Sequence, residues 1–130
     1  IFELDKIVKT KNYEYLGATT KKNDKDYIVT SISGIINYKE LNECLNLKSQ
    51  IQNFVENVLI YDDKEEVEYV SQDGESKVYG VQYYLKPYPS NEAILINCYH
   101  FYDHVERQRN LSVSANSESF AEFLINEAYK

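Results

Sequence analysis

The chain has 130 residues, 43% of them hydrophobic and 27% charged, which fits one folded globular domain with its own core and excludes a disordered chain. Its formal net charge is −7, with 12 Lys and 2 Arg against 21 acidic residues. Such a balance lacks the clustered cations that hold nucleic-acid phosphates or an anionic membrane surface, and no apolar run approaches the roughly 20 residues of a membrane helix.

In chain order, residues 2–9 are expected to form a short helix, with Phe2, Leu4, Ile7 and Val8 as its apolar face. Residues 13–18 read as a strand and 19–26 as a Lys-rich loop. Residues 27–33 read as a second strand in which Ile28, Thr30 and Ile32 alternate, with Gly34 marking its end. Leu41, Cys44, Leu45, Ile51, Phe54, Val55, Val58 and Leu59 recur at three- and four-residue steps, which predicts a long central helix reaching about residue 60 with that side inward. Asn37 and Glu40 have the spacing of a capping box for its start.

An acidic strand over 65–71 follows, then a tight turn at Asp73-Gly74, then a returning strand over 78–86 with Tyr79, Val81, Tyr83 and Leu85 on one face. Pro87 and Pro89 end it, because proline cannot donate to the ladder. Residues 93 to about 107 read as a long apolar strand and 111–114 as a short partner. Ser119 and Glu122 then open a final helix with Phe120, Phe123, Leu124 and Ala128 inward. The expected architecture is one α+β domain over residues 1–130: a curled antiparallel sheet of five to six strands packed on a long central helix plus N- and C-terminal helices. Profilin-like and cystatin-like sheets and the dimeric chaperones of bacterial secretion systems share this element order, an analogy of fold that does not carry function.

Thirteen Tyr and no Trp fit a half-buried sheet surface, with rings packed and hydroxyls wet. Cys44 and Cys98 match no metal spacing and are expected as two reduced, buried thiols of a cytoplasmic protein. The chain starts at Ile1 and contains no Met, so trimming of an upstream segment is expected and export stays open as the alternative compartment. The sequon Asn110-Leu111-Ser112 is read as a chance match. The four glycines are isolated, no phosphate loop exists, no nucleophile has an orienting partner, and no cofactor is expected.

Two constellations carry chemistry. His100 and His104 share one face if the segment is a strand, and with Asp103, Glu106 or a remote carboxylate they would form a metal or hydrolytic site; the plainer reading is a polar stripe facing solvent. The sharper feature is Asp62, Asp63, Glu65, Glu66, Glu68, Asp73 and Glu75 against the single Lys64, a net −6 that accounts for most of the chain's charge. Like charges so close oppose folding, and a solvated edge that resists aggregation is one use for them. The other is a negative surface for a basic protein partner, where complementarity speeds encounter and sets specificity. The expected function is therefore a non-enzymatic protein-binding domain of inhibitor, immunity or anti-defence type, with a metal-binding or hydrolytic domain at His100 and His104 and a dimeric secretion-type chaperone as alternatives. The run from Ser114 to Leu124, in which a serine precedes a Phe-x-x-Phe-Leu segment, is similar to the closing strand-to-helix step of some bacterial immunity domains; the N-terminal signature of those domains is absent.

Overall fold

The computed structural model describes residues 2–8, 15–21, 29–71, 74–87, 89–102 and 108–117, with side chains from residue 31 onward. The described strands are β1 (Phe2–Val8), β2 (Tyr15–Lys21), β3 (Val29–Asn37), β4 (Asp63–Val70), β5 (Lys77–Tyr84), β6 (Ala93–His100) and β7 (Asn110–Asn116); one helix, α1 (Leu41–Val58), lies between β3 and β4. They make a single sheet in the order β1-β2-β3-β7-β6-β5-β4, antiparallel throughout. The chain is thus α+β: two antiparallel meanders, β1–β3 and β4–β7, joined by a helix that carries it from the middle of the sheet to the far edge.

The sequence expectation is corrected at several places. Residues 2–8 form a strand paired with β2, not a helix. A stretch of that length is too short for a stable helix, whereas Ile7 and Val8 are β-branched and their backbone groups are satisfied by a neighbouring strand. The sheet accordingly has seven described strands, more than the five to six expected. β2 continues to Lys21, into the expected loop, and Gly34 lies inside β3, between Leu16 and Val113, rather than at its end. β6 stops at His100, short of the expected boundary near 107. Asn37 is the last residue of β3, and α1 starts from Glu40 in extended conformation (φ −102°, ψ 135°) with no side-chain cap, so the capping box does not form. The expected C-terminal helix lies outside the described residues. The β4–β5 hairpin stands as expected, with Gly74 at φ +80°, a conformation glycine adopts without steric cost.

Register explains where the core sits. Reading across the sheet, Tyr79, Cys98, Leu111 and Ile36 form one row, and Val81, Ile96, Val113 and Gly34 form the next. Side chains two apart share a face, so these rows make the surface that meets α1. Cys44, Val55, Val81, Tyr83, Ile96, Cys98 and Leu111 are buried there together with Tyr38. Each large apolar side chain so buried contributes about 1.5–3 kcal/mol.

The helix itself buries only Cys44 and Val55. Phe54 is 68% exposed and Val58 58%, against the single inward face expected. Successive helical residues turn by about 100°, so Phe54 and Val58 lie on the flank opposite Gln52 and Glu56, and those two polar residues bond to Tyr83 of the sheet. Leu45, Leu47 and Ile51 pack partly buried against the core, and a covalent link adds to them. Cys44 and Cys98 are joined in a disulfide, with Cα atoms 6.1 Å apart, where the sequence predicted reduced thiols. Residues 54 apart give no spacing signal; the pairing follows from β6 being the strand over which α1 lies.

Candidate functional site

The acidic run becomes the outer edge of the sheet. β4 has β5 on one side and no described strand on the other, and every β4 residue is exposed except the half-buried Val67. Alternation along the strand puts Asp63 and Glu65 on one face and Glu66 and Glu68 on the face shared with α1, so both faces of the edge are negative. Asp62 precedes the strand and is tied to it through its N–H, which donates to Tyr84 O at 2.7 Å. Glu75 is exposed at the hairpin turn, roughly one strand length (~25 Å) from Asp62. Asp73 lies outside the described residues. The structure therefore brings Asp62, Asp63, Glu65, Glu66 and Glu68 together and sets Glu75 apart.

Lys64 forms its ion pair away from the clustered carboxylates. Its Nζ is 2.7 Å from Oε1 of Glu56 on α1 and lies 5.9 Å from the centre of the Tyr83 ring. The same Glu56 oxygen accepts the Tyr83 hydroxyl at 3.0 Å. These two hydrogen bonds, Lys64 first, hold the Glu56 carboxyl below its ordinary range, and the Glu56 bond raises Lys64. Among the described residues none of the five clustered carboxylates forms an ion pair. Glu65 accepts from the Tyr84 hydroxyl at 3.2 Å, a bond that Gln82 Oε1 competes for at 2.7 Å. Burial first, and the Glu65 bond second, push the Tyr84 hydroxyl up. Glu66 is close enough to Lys48 to oppose the downward push of burial on that ammonium.

The histidine constellation is placed only in part. His100 ends β6, and its ring stacks on Tyr38 with centroids 5.9 Å apart. Tyr38 Oη lies 2.9 Å from Tyr99 O and 3.1 Å from His100 Nδ1. A carbonyl can only accept, so the hydroxyl proton goes to Tyr99 O, and the contact with His100 Nδ1 then has the ring nitrogen as donor. Burial, partly offset by Arg109, raises the Tyr38 hydroxyl to about 12. His104, Asp103 and Glu106 lie outside the described residues, and among the described residues no group of three His, Cys, Asp or Glu is placed to hold a metal ion. Cys98 shares a strand face with His100 but is bonded to Cys44, so it offers no thiolate nucleophile.

Sequence reasoning missed two features of the site. Hydrophobic periodicity hid the exposed Phe54 and Val58 at the end of α1, because it assigns them to the core face without distinguishing its flanks. Ion pairing of Lys64 back to Glu56 on the helix, rather than to a clustered carboxylate, has no signal in the local sequence. Compared with protein families, curated proteins and solved structures, the chain matches none.

Proposed function

We propose that this chain is a non-enzymatic protein-binding domain, of inhibitor or immunity type, that presents the acidic β4 edge to a basic partner. One observation carries the reading: an exposed edge strand negative on both faces, whose single lysine is occupied by Glu56. Holding Asp63, Glu65, Glu66 and Glu68 on one short strand is electrostatically unfavourable in the free domain, and a basic partner relieves that cost. Steering by such an edge accelerates encounter and weakens as salt screens it over about 10 Å.

Changing Glu65, Glu66 and Glu68 to Lys adds six positive units to the net −7 and leaves −1. Tested by titration with a basic protein such as lysozyme or by capture of the natural partner, the triple variant is expected to lose affinity and salt dependence while keeping its circular dichroism. Equal affinity of wild type and variant at low salt removes the acidic edge from the account.

The same reading places the working domain in an oxidising compartment, supported by the buried disulfide. A competing reading draws on the Tyr38–His100 bond, which orients a ligand-type imidazole for a metal or hydrolytic site with His104. Zinc titration separates the two: a rise in melting temperature that His100→Ala abolishes would favour the metal.

A further inference from the structure

The backbone of β4, not only its side chains, is arranged for a partner. Ser71 N–H donates to Ser76 O at 2.7 Å, and the register continues from Val70↔Lys77 to Asp63↔Tyr84. Bonded pairs alternate in an antiparallel ladder, so Tyr69, Val67, Glu65 and Asp63 direct their N–H and C=O to β5. Lys64, Glu66, Glu68 and Val70 therefore direct theirs outward. An independent contact agrees: the Lys64 N–H is bonded at 2.8 Å by the Asp63 carboxylate, not by β5. Among the described residues nothing pairs with the outward groups of Glu66, Glu68 and Val70.

We propose that an extended Lys- or Arg-rich segment of the partner adds to β4 as a further strand, hydrogen-bonding the outward backbone of Glu66, Glu68 and Val70; this rests on the acidic-edge reading above. Strand addition obtains affinity from main-chain bonds and selectivity from alternating side chains. The carboxylates on both faces of β4 select basic residues on both faces of the incoming strand, with Glu66 and Glu68 on the α1 side and Asp63 and Glu65 on the other. A second copy of this chain does not fit. β4 against β4 sets carboxylates beside carboxylates, and the other sheet edge, β1, carries Glu3 and Asp5 with only Lys6.

The test uses the whole chain and a short synthetic peptide of lysine and threonine, with lysine on both faces when extended. Its counterpart has the same sequence and charge but is N-methylated at every residue of its central stretch, which removes the backbone donors of both edges. Calorimetry at low salt is expected to show the methylated peptide binding about tenfold more weakly or worse. On the protein, Glu68→Pro removes an outward N–H without breaking a β5 bond, and it is expected to weaken the unmethylated peptide beyond the effect of Glu68→Gln. Equal binding of the two peptides overturns strand addition and leaves the acidic-edge reading standing. Binding of neither overturns both. If the proline variant loses its fold, the peptide pair alone decides.

Discussion

Reduction of the Cys44–Cys98 bond should destabilise the domain more than any single core truncation. The bond closes a loop of sequence separation 54, and the chain-entropy relation puts its effect on the unfolded state at about 4 kcal/mol. That is a large share of the 5–15 kcal/mol typical of a domain. It falls on an element that fully buries only Cys44 and Val55 and otherwise rests on the partly buried Leu45, Leu47 and Ile51. Urea unfolding followed by circular dichroism, with and without reductant, measures the loss directly. With a slope of about 2 kcal/mol per molar, the midpoint falls by about 2 M, and helical signal is expected to go before sheet signal. The reasoning fails if the reduced chain, with both thiols titrated, unfolds at the same urea concentration. It also fails if the denatured but unreduced chain already shows two free thiols.

The remaining expectations concern side chains. Tyr38 has a folded-state value near 12 against 10 unfolded, so its neutral form favours the native state below pH 10, and that contribution declines as pH rises from 10 toward 12. Alkaline unfolding should therefore steepen there, and Tyr38→Phe should flatten it while lowering neutral-pH stability by about 1 kcal/mol through loss of the Tyr99 and His100 bonds; an unchanged alkaline limb in the variant contradicts this. On α1, Val55→Ala should cost about 2 kcal/mol and Phe54→Ala less than about 0.5, read from urea midpoints, and the reverse order would refute the assigned helix flanks. Gly80→Ala would drive a methyl into the Asn97 amide and to within 3.1 Å of Val67 Cγ2, costing about 1–3 kcal/mol. Adding Asn97→Ala should return part of that loss, since Asn97 Oδ1 is buried without a partner; no recovery would show the clash lies elsewhere.

Local periodicity made α1 and the β4–β5 hairpin legible in sequence, because an 18-residue amphipathic run and an Asp-Gly turn are strong, local signals. Phe2, Leu4, Ile7 and Val8 are ambiguous for the opposite reason: alternation takes in Phe2, Leu4 and Val8, a helical step takes in Leu4, Ile7 and Val8, and seven residues are too few to decide between them. Cys44–Cys98 was illegible because only the tertiary placement of α1 over β6 brings the two together. The acidic composition of residues 62–75 was plain, but its meaning depended on sheet order. Had β4 been central its carboxylates would face neighbours; as an edge they face solvent on both sides. Likewise, Lys64 reads in sequence as partial neutralisation of the cluster, and only the fold directs it to Glu56.

Backbone amide shifts recorded while a lysine-rich peptide is titrated into the isotopically labelled chain test the central claim most directly, because they locate the surface as well as the affinity. Perturbations are expected along residues 62–70, strongest at Glu66 and Glu68, spreading to their β5 partners Val81 and Tyr79 and fading with added salt. Shifts centred instead on the exposed Phe54–Val58 flank or on His100, or none at any peptide concentration, would contradict the assignment of the acidic edge as the binding surface.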